Sequence, residues 1–129
     1  MSDHQAVIRQ LYKEGFNQGR LELLDRLCAS DFMASPGDKG LAAFAQGVEA
    51  LRAGFPDVRF EIEDLFGEGD RVAVRWRFEA IHAGPFQGHA ATGRRVTQTA
   101  NVIYQFKEGK IWRAWIQVDR LGLLQQIIP

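Results

Sequence analysis

The fold is decided by a stretch in the middle of the chain, residues 71–80, which reads RVAVRWRFEA. Apolar side chains occupy every second position, from Val72 through Trp76 to Ala80, and mostly charged side chains fall between them. Strict alternation of this kind predicts a β-strand with one buried face and one solvated face. The turn-forming run 67–70 precedes this strand, so the alternating residues around Phe60 are predicted to form its hairpin partner.

Elements on both sides of this hairpin complete the predicted architecture. Helical spacing predicts helices over residues 7–16, 21–28 and 41–55, and Pro56 ends the third. Further strands are predicted over 96–106 and 111–119, with a turn between them. Helices first and antiparallel strands afterwards indicate an α+β class. We expect these N-terminal helices to cover a curved, mostly antiparallel sheet of roughly four strands and to leave a small-ligand pocket at the mouth of a cone.

Composition narrows the functions that the chain can have. Its 129 residues predict a single domain, 1–129, and the 16 basic residues balance the 16 acidic ones. We therefore expect no nucleic-acid partner and no membrane partner. The N-terminus lacks the basic and apolar regions of a secretory signal, and Cys28 has no internal disulfide partner, so we expect a cytoplasmic protein.

Searches for motifs that bind phosphates, dinucleotides or metals return nothing, and the three histidines lack metal-ligand spacing. We expect no cofactor and no metal. The chemistry that remains for this chain is acid–base catalysis by side chains inside an apolar pocket.

Asp119 is the first candidate for that chemistry. It closes the last predicted strand, which contains Trp112 and Trp115 and no other acidic residue. A carboxylate beside tryptophan is partly desolvated, which suits it to exchange protons near neutral pH. In the alternative interpretation, Asp119 pairs with Arg120 or caps the turn that follows at 121–124. The residues alone leave both interpretations open.

Four further candidates come from strand parity and loop position. His82 ends the strand of Val72 and Trp76 on the same parity, which places it on the concave face, either as a proton relay or as a donor to a backbone carbonyl. Asn101 and Gln105 share one parity of the 96–106 strand, where an amide could bind a carbonyl or enolate, but the opposite parity is an equally good core face. Asp38 competes as the base, although a residue beside Gly37 is typically a turn or cap residue.

Taken together, these residues resemble the SnoaL-like polyketide cyclase family of the NTF2-like superfamily. The resemblance extends over nearly the whole chain, and no single segment carries it alone. The segments that carry it are 16–19, 54–57, 69–76, 82–84 with Gly88 and 92–94, 109–111, 115–119 and 120–126.

The resemblance implies a cofactor-free enzyme that closes a ring by intramolecular aldol condensation, with Asp119 as general acid and base. His82 matches a strand-end histidine that recurs in the family. Gln105 stands where the cyclases use a histidine, and the segment around Ser35 lacks a histidine that many relatives carry. The resemblance also implies a homodimer formed through the outer sheet face. The predicted substrate-binding residues are Tyr12, Phe16, Ser35, Trp76, Asn101, Gln105, Trp115 and Gln117.

Three hypotheses follow for the function. In the first, Asp119 moves a proton next to a carbonyl of a hydrophobic small molecule, with His82 near it. In the second, the site is ketosteroid-isomerase-like and uses Asp38 as base. In the third, the chain is a non-catalytic binding or dimerisation module, as expected if Phe44, Phe78 and Tyr104 fill the pocket.

Overall fold

The computed structural model describes residues 3–128, which form four α-helices and a five-stranded, mostly antiparallel sheet. The helices are α1 (His4–Gln10), α2 (Leu23–Leu27), α3 (Leu41–Gly54) and α4 (Arg120–Ile127); α1 runs directly into a π-helical segment, Leu11–Phe16. The strands are β1 (Cys28–Ser35), β2 (Phe60–Glu68), β3 (Arg71–Ile81), β4 (Arg95–Lys107) and β5 (Lys110–Val118). The predicted α+β class is confirmed.

The sheet has the strand order β1-β5-β4-β3-β2, and only the β1–β5 pair is parallel. β1 corrects the sequence analysis, which placed Cys28 at the end of a helix and predicted no strand there. Cys28 continues the helical spacing of Leu24, and residues 28–35 lack period-two alternation, since their buried positions are irregular. β1 is an edge strand that obtains its hydrogen bonds from β5, with Ser35 opposite Trp115, and no local pattern encodes that pairing.

The alternation in β3 produces the core. Val72, Trp76, Phe78 and the residues of the same parity are buried. The Trp76 ring packs against Phe60 of β2, which in turn contacts Phe16 of the π-helical segment. The Phe60 ring meets the Trp76 ring edge-on, with centroids 4.8 Å apart. Full burial of such a side chain stabilises the fold by about 1.5–3 kcal/mol. The inner face of the sheet is therefore fixed by packing against the helices.

Two side-chain amides fasten helical segments to the sheet. The Asn17 amide, just after the π-helical segment, donates to the Phe60 carbonyl oxygen at 3.1 Å and accepts from the Phe60 N–H at 2.6 Å. The Gln126 amide, in α4, accepts from the Thr97 N–H at 2.9 Å and donates to the Thr97 carbonyl oxygen at 2.8 Å. Each amide thus takes the place of a neighbouring strand's peptide group.

The C-terminal residues form a longer helix than the turn that was predicted over 121–124. Asp119 caps α4, because its Oδ1 accepts a hydrogen bond from the Gly122 N–H at 2.8 Å. Leu123 and Ile127 are buried as α4 packs against β4, while Leu121 remains exposed. Within residues 3–128, no helix has the length and apolar character needed to cross a membrane.

Candidate active site

A cavity of about 500 Å³ lies between the inner face of the sheet and α3. Its walls are mostly apolar: Phe16 from the π-helical segment, Phe44 and Val48 from α3, and Trp76 and Val102 from the sheet. A cavity of this size and lining accommodates a small organic molecule.

Two tyrosine hydroxyls provide a polar point on this apolar wall. Tyr12 and Tyr104 both line the cavity, both are buried, and their hydroxyl oxygens lie 2.7 Å apart. Burial raises the pKa of Tyr12 well above its ordinary value, with Tyr104 adding to the shift, and burial likewise raises the pKa of Tyr104. Both hydroxyls therefore stay protonated. When two hydroxyls share one hydrogen bond, one O–H group remains free and can donate a hydrogen bond to a ligand oxygen.

Gln98 is a buried polar residue in the same wall. Its side chain is 6% exposed, and its Nε2 donates to the main-chain oxygen of Asp119 at 3.2 Å. The main-chain N–H of Asp119 donates to the Thr99 oxygen at 3.1 Å. These two hydrogen bonds fix the junction between β5 and α4 relative to the cavity.

Asp119 lies at this junction, between Val118 and Arg120, which both line the cavity. Its own side chain is exposed, caps α4 through Oδ1 and is not part of the cavity lining. Of the two interpretations that the sequence left open, the structure shows the one in which Asp119 caps the segment that follows it. Asp119 could act on a cavity ligand only with its carboxylate turned from the cap toward the cavity mouth.

His82 is fully buried behind the cavity wall. Its Nδ1 accepts from the Thr92 N–H at 3.2 Å and lies 3.0 Å from the Thr92 hydroxyl. Phe55 lies next to the imidazole, with ring centroids 5.4 Å apart, and contacts Phe86, which does line the cavity. His82 thus shares the concave parity expected for it but is not part of the lining, and its catalytic role stays a prediction.

The structure brings half of the predicted substrate-binding residues to the cavity. Tyr12, Phe16, Ser35 and Trp76 line it. The other four lie on the outer face of the sheet, because the opposite parity of β4 and β5 carries the buried side chains; they are Asn101, Gln105, Trp115 and Gln117. This placement separates them from a ligand in the cavity. Gln105 instead donates to Asp70 Oδ2 at 3.0 Å, and Arg71 lies over the Trp115 ring.

Among the lining residues with polar side chains, five were missed as site residues: Lys39, Gln87, Gln98, Tyr104 and Arg120. Tyr104 shares its parity with Val102 and Phe106, a plausible core face, and that signal could have identified it. Lys39 and Arg120 carried no signal, since each occupies a connection whose geometry depends on the β1–β5 pairing. Asp38, the alternative base, is exposed beside Lys39 and accepts a long 3.4 Å hydrogen bond from the Ser35 hydroxyl.

The described side chains include no group of three or more His, Cys, Asp or Glu residues placed to hold a metal ion. The lining residues that carry polar groups are two tyrosines, Ser35, Trp76, two glutamines and the cations Lys39 and Arg120. Such a set can bind and polarise an oxygen-bearing ligand.

Helices over a five-stranded, mostly antiparallel sheet, with an apolar cavity between them, define an NTF2-like α+β protein. The chain belongs to the SnoaL-like polyketide cyclase family, whose model matches residues 6–127. The resemblance stated from the sequence is thereby confirmed. No curated protein matches the chain.

Solved structures agree with this assignment. The chain is 29% identical to a proposed polyketide cyclase from Acidithiobacillus ferrooxidans, with a TM-score of 0.83 over 95% of this chain and 92% of that one. It is 25% identical to AclR, a proposed hydroxylase from Streptomyces galilaeus, with a TM-score of 0.87 over 98% of each chain. A SnoaL-like polyketide cyclase from Agrobacterium tumefaciens is 26% identical, with a TM-score of 0.77 over 94% of this chain and 95% of that one. The same fold therefore carries proteins named for different reactions.

Proposed function

We propose that this protein is a cofactor-free enzyme that moves a proton next to a carbonyl of a hydrophobic small molecule and so promotes aldol ring closure or isomerisation. The observation that carries the proposal is the pair of tyrosine hydroxyls, 2.7 Å apart, on two residues that line a mostly apolar cavity. Phe44 and Tyr104 line this cavity and leave it open, which favours a ligand site over a filled core.

The tyrosine pair acts as the oxygen-binding element of the proposed reaction. When a carbon next to the carbonyl loses its proton, the electron pair moves onto the carbonyl oxygen and forms an enolate. A neutral hydroxyl in an apolar wall stabilises this oxygen more than water does, because it is already oriented and little desolvation is needed. Tyr12 or Tyr104 donates this hydrogen bond.

Asp119 is the proposed general base. In the proposed reaction its carboxylate turns from the cap toward the cavity mouth, and one of its oxygens accepts the proton from the substrate carbon. In ring closure, the enolate carbon then attacks a second carbonyl of the same molecule, a carbon–carbon bond forms, and the new alkoxide takes the proton back from Asp119. In isomerisation, the proton returns to a different carbon.

The test exploits the fact that asparagine caps a helix as well as aspartate does. The probe is 2-tetralone in D₂O, whose exchange of protons next to the carbonyl is followed by NMR. We expect Asp119→Asn to keep the wild-type melting temperature and to lose the catalysed exchange by a factor of about 10² or more. Asp119→Ala loses the exchange and also about 1 kcal/mol of stability, because the cap is gone.

Asp38→Asn is the matched control, since it removes the alternative base. An exchange that survives Asp119→Asn but is lost in Asp38→Asn would overturn the assignment in favour of Asp38. Wild-type protein that binds 2-tetralone without accelerating exchange would identify a binding module instead.

A further inference from the structure

Two cations, Lys39 and Arg120, line the mouth of the cavity, and no acidic side chain of the described residues lines it with them. Within residues 3–128, neither cation forms an ion pair. The carboxylates next to them in the sequence form other hydrogen bonds, Asp38 with the Ser35 hydroxyl and Asp119 with the Gly122 N–H.

The β1–β5 pairing brings these two cations to one end of the sheet. The strands are parallel, with Ser35 opposite Trp115, so the chain leaves both strands at the same end of the sheet. Lys39 is held there by two main-chain hydrogen bonds of 2.8 Å with Ala34. Arg120 is the first residue of α4, whose start is fixed by the Asp119 cap. Both positions are thus set by backbone hydrogen bonds.

The N-terminus of α3 adds to the positive field at this mouth. The helix starts after Gly40, and neither a side-chain cap nor an acidic residue in its first turn offsets the dipole of its fourteen residues. Ala43, in that first turn, lines the cavity together with Lys39. Free N–H groups and the helix dipole favour an anion at such a terminus.

We propose that the ligand of this cavity is an apolar molecule that carries a carboxylate, which binds at the mouth between Lys39, Arg120 and the start of α3. This inference rests on the proposed function, because it names the chemical class of the ligand in the same cavity. A carboxylate fits two unpaired cations, and the apolar walls bind the body of the molecule. Low-dielectric walls strengthen the attraction relative to that of an open surface.

The test compares anthracene-2-carboxylic acid with its uncharged methyl ester, and binding is measured by anthracene fluorescence. In wild-type protein, the acid is expected to bind about tenfold more tightly than the ester, as two partly screened charges allow. The double variant Lys39→Gln/Arg120→Gln should weaken binding of the acid about tenfold more than binding of the ester, so that the preference for the acid is lost. Raising the NaCl concentration from 20 to 300 mM weakens binding of the acid only.

A second double variant controls for net charge. Lys13 and Arg59 are exposed and lie outside the cavity lining, so Lys13→Gln/Arg59→Gln removes the same charge without touching the mouth. It should leave the acid's affinity within twofold of wild type. Equal loss in both double variants, or equal wild-type affinity for acid and ester, overturns the proposal.

Gly47→Phe separates failure of this inference from failure of the proposed function. Gly47 lines the cavity, and a Cβ at this position meets nothing within 4 Å, so the large side chain has room to occupy ligand space. If acid and ester bind equally and Gly47→Phe abolishes both, the cavity function stands and the carboxylate proposal falls. If Gly47→Phe affects neither probe, the ligand does not use this cavity and both proposals fall.

Discussion

The inner and outer faces of the sheet carry side chains from the same strands, yet different forces stabilise them. The inner face buries Val74, Trp76 and Phe78 against the helices. The outer face carries exposed ion pairs, such as Arg75 with Asp64 at 2.6 Å and Arg77 with Glu79 at 2.8 Å. Water and salt screen exposed pairs, so they contribute little. The comparison assigns most of the stability to the inner face, where the proposed ligand cavity also lies, and leaves the outer face exposed.

Truncation of one side chain on each face gives the largest contrast. Phe78→Ala should lower the free energy of unfolding by about 3–5 kcal/mol, because the ring is 1% exposed and its loss leaves a cavity. Ile103→Ala, at an outer position that is 43% exposed, should cost less than about 1 kcal/mol. Urea unfolding measures both. If Phe78→Ala does not fold, Phe78→Leu provides the comparison; similar costs on the two faces would contradict the contrast.

Association through the outer face is the next test, since the homodimer stays a prediction. An apolar row crosses this face through register partners: Phe66 opposite Ala73, Ala73 opposite Ile103, and Ile103 opposite Trp115. We expect wild-type protein to dimerise and Ile103→Lys to weaken the dimer about a hundredfold, because two-fold symmetry places each charge in the interface twice. Sedimentation equilibrium measures the dimer dissociation constant of both proteins.

Thr99→Lys is the control, since it adds the same charge to the same face of β4 outside the apolar row. A monomeric wild type, or equal effects of the two lysines, would remove the row from consideration as the interface.

The tyrosine pair provides a smaller effect on the inner face. Tyr12→Phe or Tyr104→Phe leaves the other buried hydroxyl without its partner and should cost about 1–3 kcal/mol. The double variant should cost less than the sum, because no orphaned hydroxyl remains. Urea unfolding of the four proteins gives the coupling free energy. Additive costs would mean that the hydroxyls do not stabilise each other.

The smallest expected effect is alkaline sensitivity from Cys28, which is also buried on the inner side. Burial raises the pKa of its thiol from 9.0 to about 12, with Asp25 adding to the shift. Because the pKa is higher in the folded state, the contribution of the Cys28 thiol to the free energy of unfolding is complete below pH 9 and is lost as the pH rises toward 12.

Between pH 8 and pH 10, wild type should therefore lose about 1.4 kcal/mol more than Cys28→Ala, measured by urea unfolding. Both tyrosines remain in both proteins, so their contribution cancels. Parallel pH profiles for the two proteins would show that Cys28 is not the titrating group.

The two faces also explain what could be predicted from the sequence. In β3 one parity is apolar and the other mostly charged, so its inner face could be identified directly. In β4, Gln98 lies on the buried parity and Ile103 on the exposed one, and the sequence left the orientation open. The family and fold class followed from motif order along the chain. The sequence did not predict β1 or the placement of Lys39 and Arg120, because both depend on a parallel pairing between strands about 80 residues apart.

The amides of Asn17 and Gln126 lie at places where strands of the sheet have no neighbouring strand. A strand with unpaired N–H and C=O groups is a template on which a strand from another chain can add, and that is a route to aggregation. β2 is an outermost strand, and β4 lacks a strand partner at Thr97, where β5 has already ended. Asn17 and Gln126 occupy these two places. They satisfy the peptide groups of Phe60 and Thr97, and loss of α4 would open Thr97 to strand addition.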